Sequence, residues 1–217
     1  MTPVLYAHPF SSYCQKVLIA LYENDTPFTF RMLDDAASFS ELEALWPLKR
    51  FPVLRDGNTT VIEASIIIEY LQIHYPGLVR LIPEDQSVAL QVRFMDRFFD
   101  NYIMSPAQKV VSNQLRAEGE RDPKGVSEAQ TMLETAYGWL NGVMKDRHWA
   151  AGNEFSLADC AAAPSLFYAD WVHRIDDRYA QVRAYRSRLL ARPSAVRTVN
   201  EARPYRALFP LGAPNRD

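Results

Sequence analysis

Cysteine is scarce in this 217-residue chain: there are two, Cys14 and Cys160, far apart in sequence. Two distant thiols, each inside an apolar helix-like stretch, exclude a disulfide framework and a cysteine-based zinc site. Glycine is scarce too, eight residues in all, which argues against a turn-rich all-β fold. An excess of charge of either sign is missing. Lysine plus arginine number 24 and aspartate plus glutamate 26, a net charge of −2, and a pI near 6.1 gives no support for a nucleic-acid-binding surface. No apolar run approaches the ~18 residues of a membrane span. The start, Met1 to Tyr6, lacks the basic and apolar regions of a signal peptide. The four histidines, His8, His74, His148 and His173, share no metal-ligand spacing. The expectation is therefore a cytoplasmic protein with no metal and neither a nucleic-acid nor a membrane partner.

What remains is an ordinary globular composition, 48% hydrophobic and 23% charged, in a chain long enough to bury a core without staples. Its two halves differ in period. Pro3 to Ala7 is a compact run suited to a buried strand, and Cys14, Val17, Leu18 and Leu21 follow at helical spacing. Phe28 to Leu33 reads as a strand and Phe39 to Leu45 as a short helix. Asp56-Gly57 separates two β-prone runs, 52–55 and 58–62, which predicts a hairpin because glycine accepts the positive φ of the turn. A helix apolar on most sides should run from Ala64 to His74. The order is β-α-β-α-β-β-α.

Pro76-Gly77 ends that pattern, and beyond Ser87 no strand is predicted. Val88 to Ile103 has the period of one long amphipathic helix, and Ala129 to Met144 that of a second. A third opens at Phe155-Ser156-Leu157-Ala158-Asp159, where Ser156 and Asp159 stand at the two positions of a capping box. Helices are also expected at 180–191 and 195–202, with an irregular tail after Arg203. The division is 1–76 for an α/β domain, 77–86 for a linker and 87–217 for a helical domain.

Chemistry is most readable where the first strand meets the first helix, His8-Pro9-Phe10-Ser11-Ser12-Tyr13-Cys14. A helix starting there presents free N–H groups and the positive dipole end, so a hydroxyl at that point can cap the helix or help hold an anion such as a thiolate. Ser11-Ser12-Tyr13-Cys14 has the spacing of a redox C-x-x-C with serine in the nucleophile's place. Dithiol exchange needs two cysteines, so the reactive thiol should arrive with a substrate. Cys14, on the apolar stripe, reads as a small buried hydrophobe. Asp96-Arg97-Phe98-Phe99-Asp100 reads as a solvated face beside a core stripe.

Four segments together resemble the cytosolic glutathione S-transferase family: Ser11 to Val17, Arg50 to Leu54, Ile62 to Leu71 and Phe155 to Asp159. Each is weak alone, but all four occur in order and at the expected spacing. The resemblance implies a thioredoxin-like N-terminal domain, an all-helical C-terminal domain, a homodimer, and glutathione as co-substrate for attack on a small electrophile. Ser11 resembles the catalytic serine of the theta and zeta classes. Pro52 resembles the family's cis-proline, as against an ordinary trans proline opening an edge strand, and the backbone of Phe51 is then expected to pair with the glutathione cysteinyl amide. Glu63 resembles the acidic residue at the γ-glutamyl end, although first-turn dipole compensation explains it equally. The family's usual Glu-Ser reads Glu63-Ala64 here, so the N–H of Ala64 receives the carboxylate, with Ser65 the only hydroxyl left to replace the lost one. Arg50 matches a basic residue near the glycyl carboxylate or is an ordinary surface arginine. The electrophile is expected among helical side chains near Tyr102 and Met104. Two other readings stay open: a non-catalytic binding or regulatory dimer on the same fold, and a glutathione-dependent disulfide reductase or peroxidase.

Overall fold

Alternation of side chains between faces organises the first half of the chain, described here from a computed structural model covering residues 2–217. Strands β1 (Val4–Ala7), β2 (Thr29–Met32), β3 (Val53–Asp56) and β4 (Thr59–Ile62) form one sheet in the order β2-β1-β3-β4. β1 runs parallel to β2 and antiparallel to β3, and β3 is antiparallel to β4. The predicted hairpin lies between β3 and β4, where Gly57 takes φ +54°. Neighbouring residues of β3 point to opposite faces. Leu54 joins the main core with α1 (Ser12–Glu23) and α3 (Ala64–His74), while Val53 packs with Leu33 and with Leu42 of α2 (Ala36–Leu45). Helices thus cover both faces of the sheet, as in a thioredoxin-like fold.

The second half is helical: α4 (Gln86–Phe98), α5 (Ser105–Gln114), α6 (Pro123–Val143), α7 (Leu157–Val172), α8 (Ala180–Leu190) and α9 (Pro193–Ala202). α7 is its axis. Every residue from Leu157 to Trp171 is buried, so the helix is covered on all sides. The predicted capping box starts it: the Ser156 N–H donates to Asp159 Oδ2 (2.9 Å) and the Ser156 hydroxyl donates to the same oxygen (3.0 Å). Asp159 also accepts from the N–H of Ala150 (2.9 Å) and the hydroxyl of Tyr185 (2.6 Å), so one carboxylate fastens a loop, a helix start and α8.

Several boundaries differ from the sequence reading, each for a local reason. α2 begins at Ala36 rather than Phe39 because Asp35 caps it, accepting from the Ser38 N–H at 2.6 Å. α6 begins at Pro123 rather than near Ala129, with Asp122 accepting from the Gly125 N–H; its first turn carries no apolar period to reveal it. The helix expected to end near Ile103 continues to Gln114 through a π-helical turn, Phe99–Met104. There the N–H and the hydroxyl of Ser105 both donate to the Asp100 carbonyl. Pro106 follows without an N–H, which breaks the regular ladder at that point. The tail opens with a 3-10 segment, Arg203–Leu208.

Candidate functional site

The expected helix start is built on Ser11. It is the N-cap of α1, with extended backbone, and its hydroxyl oxygen accepts from the Cys14 N–H at 3.4 Å. Ser12 lies inside the helix and is buried. Cys14 is fully buried, and burial pushes its thiol up to about 12, against the pull of the Ser11 hydroxyl, as expected of a packing residue rather than a nucleophile.

Ser11 opens onto a cleft of about 700 Å³. On the same side the sheet domain contributes Tyr13, Trp46, Phe51, Pro52 and Ala64. The Phe51–Pro52 bond is cis, and Phe51 lies just before the sheet ladder, which begins at Val53. Glu63 is the N-cap of α3 but makes no side-chain capping bond, and its φ is +70°. A non-glycine residue held there stores local strain, and Glu63 is exposed with its carboxylate free to meet a ligand. Arg50 also lines the cleft and is exposed. The sequence-predicted residues Ser11, Arg50, Phe51, Pro52, Glu63, Ala64 and Ser65 therefore all border one cavity.

The Asp96–Asp100 segment departs from the solvated face read in the sequence. Asp96 and Asp100 are both buried, and so is Lys16 of α1, at 1% exposure. Lys16 Nζ lies 2.8 Å from Asp100 Oδ2 and 2.9 Å from Ser65 Oγ. It also lies 2.5 Å from Asp96 Oδ1, which is in ionic contact without hydrogen-bond alignment. The Ser65 hydroxyl donates to Asp96 Oδ2 (2.8 Å) and meets Arg97 as well. Arg97 contacts both carboxylates. Ser65 is thus committed to this cluster, which limits it as a stand-in for the hydroxyl that Ala64 lacks. Burial raises the Asp100 carboxyl above its usual range, with Lys16 pulling it down and Asp96 pushing it up. No local signal in the sequence marks Lys16 as a member of the site, because its carboxylate partners lie on another helix.

The helical side of the cleft is formed by Arg97, Asp100, Asn101, Ser105, Gln108 and Ser112. Neither Tyr102 nor Met104 takes part. Met104 is buried, and Tyr102 is turned against Phe98, ring centroids 5.8 Å apart. The residues beside them, Asn101 and Ser105, line the cleft, in the neighbourhood of Tyr102 and Met104 where the sequence points. Among the described residues there is no group of three or more His, Cys, Asp or Glu side chains able to hold a metal ion, and no helix is long and apolar enough to cross a membrane.

Comparison with known proteins matches both halves. Residues 5–78 fit the family model for the glutathione S-transferase N-terminal domain and residues 120–188 that for the C-terminal domain. A glutathione S-transferase of Silene vulgaris is 25% identical over 213 residues, covering 92% of this chain and 97% of that protein. A probable glutathione S-transferase of Nicotiana tabacum is 29% identical over 134 residues, covering 62% of this chain and 54% of the relative, so the match spans about half of that protein. Among solved structures, a glutathione S-transferase of Methylobacterium radiotolerans in complex with glutathione sulfonate superposes with a TM-score of 0.79 at 26% identity, over 92% of this chain and 95% of the other.

Proposed function

Because this chain belongs to the glutathione S-transferase superfamily, we propose that it is a glutathione transferase that holds glutathione in the cleft at Ser11 and adds the glutathione thiolate to a small electrophile. One observation carries the reading: the start of α1, the Phe51–Pro52 segment and the start of α3 all border a single cavity. In this arrangement the Phe51 backbone pairs with the cysteinyl amide. The N–H of Ala64 and the Glu63 carboxylate take the carboxylate and the amine of the γ-glutamyl end, and Arg50 faces the glycyl carboxylate. No metal is called for.

Ser11 acts as a hydrogen-bond donor. Its oxygen already accepts from the Cys14 N–H, which leaves the hydroxyl hydrogen for a sulfur anion in the cleft. No imidazole or carboxylate is hydrogen-bonded to it to make it a nucleophile. A free cysteine-type thiol has a pKa of about 8.5 and is a few per cent ionised at neutral pH. A hydroxyl donor and the positive end of α1 both favour the anion, and each unit of lowering stabilises it by about 1.4 kcal/mol. The larger thiolate fraction outweighs the modest loss of intrinsic nucleophilicity.

The protein works as a homodimer in the cytoplasm, where glutathione is reduced, and its two domains divide within 77–86. Dimerisation is supported by an exposed apolar strip on α3 and α4, comprising Ile66, Ile73, Leu90 and Phe94, where the Arg93–Glu69 ion pair joins the two helices. The test of the mechanism is Ser11→Ala. Loss of one hydrogen bond to a charged group, roughly 1.5–3 kcal/mol, lowers turnover by about 10- to 100-fold. It also moves the pH–rate midpoint upward and leaves glutathione binding nearly unchanged. Full activity with an unchanged pH profile, together with an inactive Cys14→Ala protein, would assign the working thiol to Cys14 instead.

A further inference from the structure

A second cavity, of about 410 Å³, shares no residue with the cleft at Ser11. The end of α7, one side of α8 and the tail residues Arg216 and Asp217 border it. Four arginines face it, Arg174, Arg183, Arg186 and Arg216, against the two carboxylates of Asp170 and Asp217. Ile175 is the one aliphatic member among the described residues that border it. In a chain of net charge −2, this is a local surplus of positive charge in a concave place, where the field is focused.

The carboxylates nearby are already engaged. Asp170 Oδ1 accepts from the Ile175 N–H at 2.8 Å, and Oδ2 accepts from Arg216 Nε at 3.1 Å. Asp217 pairs with Arg203 and Arg206 of the 3-10 segment, and Asp177 with Arg174 and Arg183. Arg186 is left over. Its one ion pair among the described residues is with the shared Asp170 Oδ2, 3.7 Å from Nη2, which is beyond hydrogen-bond reach. Its Nε and Nη2 are closed to water and have no acceptor among the described residues. The Phe167 ring lies against the guanidinium, 5.7 Å from its carbon, and supplies no acceptor in the plane. Buried donors are nearly always paired, and a buried charge without hydrogen bonds is costly. The Arg186 side chain keeps 12% exposure and borders the cavity. Turning its free N–H groups toward an anion there breaks no existing hydrogen bond.

We propose that this cavity is an anion site, separate from the glutathione cleft, that binds a small phosphate monoester through Arg186, with Arg174, Arg183 and Arg216 around it. A guanidinium presents parallel N–H groups that match two oxygens of one oxyanion. Several cations around a single cavity favour an anion of charge two over a lone carboxylate. The cavity is larger than one oxyanion, and its walls are polar, Ser187 included, so the rest of the ligand is small and hydroxylated. No aromatic side chain among the described residues borders it, which leaves a nucleotide base without a stacking surface.

The experiment titrates glycerol 3-phosphate and inorganic phosphate into the full chain by calorimetry at fixed ionic strength, with and without saturating glutathione. Both give saturable heat at about millimolar concentration or below. Glycerol 3-phosphate binds at least as tightly as phosphate, and glutathione leaves the binding unchanged. Arg186→Met weakens it by about 10- to 100-fold, the loss of charged hydrogen bonds. Arg174→Gln, at an exposed position, weakens it by about threefold. In phosphate-free buffer Arg186→Met unfolds at the same urea concentration as the parent or a higher one, because an unpaired buried charge is gone. With phosphate the parent becomes the more stable of the two. The inference falls if phosphate gives no heat beyond that of chloride at matched ionic strength, or if malonate binds more tightly than phosphate. It falls if glutathione displaces the anion, which would place it in the cleft, or if Arg186→Met binds as well as the parent. It falls too if Arg186→Met is destabilised equally with and without phosphate, since Arg186 would then be a structural partner of Asp170.

Discussion

Replacing Lys16 by methionine would remove the cation from a cluster almost closed to water. Lys16 is 1% exposed and Asp96 2%, with Nζ 2.5 Å from Asp96 Oδ1 and 2.8 Å from Asp100 Oδ2. Methionine fills the volume of the lysine stem, so the change is chiefly one of charge. Taking one partner out of a buried ion pair costs about 3–5 kcal/mol, because the remaining charge is left uncompensated. Arg97 still touches both carboxylates, and that places the expected loss near the lower end, about 3 kcal/mol.

The loss should depend on pH in a definite direction. Burial raises the Asp100 carboxyl while Lys16 holds it down; without Lys16 it rises further. An acid whose folded pKa lies above its unfolded value of ~3.9 takes up its proton first in the native state. Below the unfolded value both states are protonated and the penalty vanishes. It grows as pH rises from the unfolded value to the folded one and is complete above the folded value. Urea unfolding at one fixed protein concentration, at about pH 4 and about pH 8, should therefore show the larger deficit at the higher pH. Adding Asp100→Asn to Lys16→Met should recover part of it. A deficit under about 1 kcal/mol, or one equal at both pH values, would refute the picture of a paired buried cluster.

Three further outcomes follow from burial and exposure. Cys14 and Cys160 are both free and buried, and with the Cys14 thiol at about 12 its thiolate fraction at pH 8 is on the order of 10⁻⁴; iodoacetamide should leave the native protein unlabelled and modify both thiols in urea, as mass spectrometry would show. Asp159→Ala removes the acceptor of the Ala150 and Ser156 N–H groups and of the Tyr185 hydroxyl, so the thermal midpoint should fall by the equivalent of about 3 kcal/mol or more, whereas a fall under 1 kcal/mol would contradict the hydrogen bonds described. Leu90→Glu or Ile73→Glu places a carboxylate in the exposed apolar strip of α3 and α4, where those two side chains are 69% and 72% exposed; sedimentation should show monomers for the variants and dimers for the parent, and a monomeric parent would remove dimerisation.

The parts of the fold that were readable from sequence are those fixed by neighbours in the chain. Asp56-Gly57 specifies its hairpin through one φ angle, and Ser156 with Asp159 marks a helix start within four residues. The strand and helix order of the first half follows from its periods of two and 3.6. The π turn was not readable, because Val88 to Ile103 keeps an apolar period straight through it; its signs, Ser105 and Pro106, also suit an ordinary helix beginning. The ionic cluster was hidden for another reason. Lys16 sits on α1, and Asp96 and Asp100 are 80 or more positions away, Asp100 by 84, so each charge in isolation reads as surface. For the helical side of the cleft the sequence points to the neighbourhood of Tyr102 and Met104 but does not single out Asn101 and Ser105. About 100° of helix rotation separates a residue from its neighbour and decides which of them faces the cavity, and the π turn changes that rotation.

Distance in sequence also governs how Ser11 itself is held. The His8 carbonyl accepts from the Ser11 N–H at 3.0 Å, whereas the carbonyls of Pro9 and Phe10 have no backbone partner among the described residues. Two side chains take them up. Gln15 Nε2 donates to the Pro9 carbonyl at 2.9 Å and to the Tyr168 hydroxyl oxygen at 3.0 Å, and the Tyr168 hydroxyl donates to the Phe10 carbonyl at 2.9 Å. Tyr168 belongs to α7, the buried axis of the helical half. The segment that aims the Ser11 hydroxyl is thus tied by residues of both halves of the chain, Gln15 and Tyr168, before any ligand enters. Further along α1, Lys16 ties the same helix to α4 and to the start of α3 through Asp96, Asp100 and Ser65. A single helix therefore fixes the position of the hydroxyl donor relative to the α3 N–H groups that would hold the far end of a tripeptide. Donors fixed in this way need no reorganisation as charge moves onto or off the sulfur, and that is the condition under which a weak neutral hydroxyl can favour a thiolate.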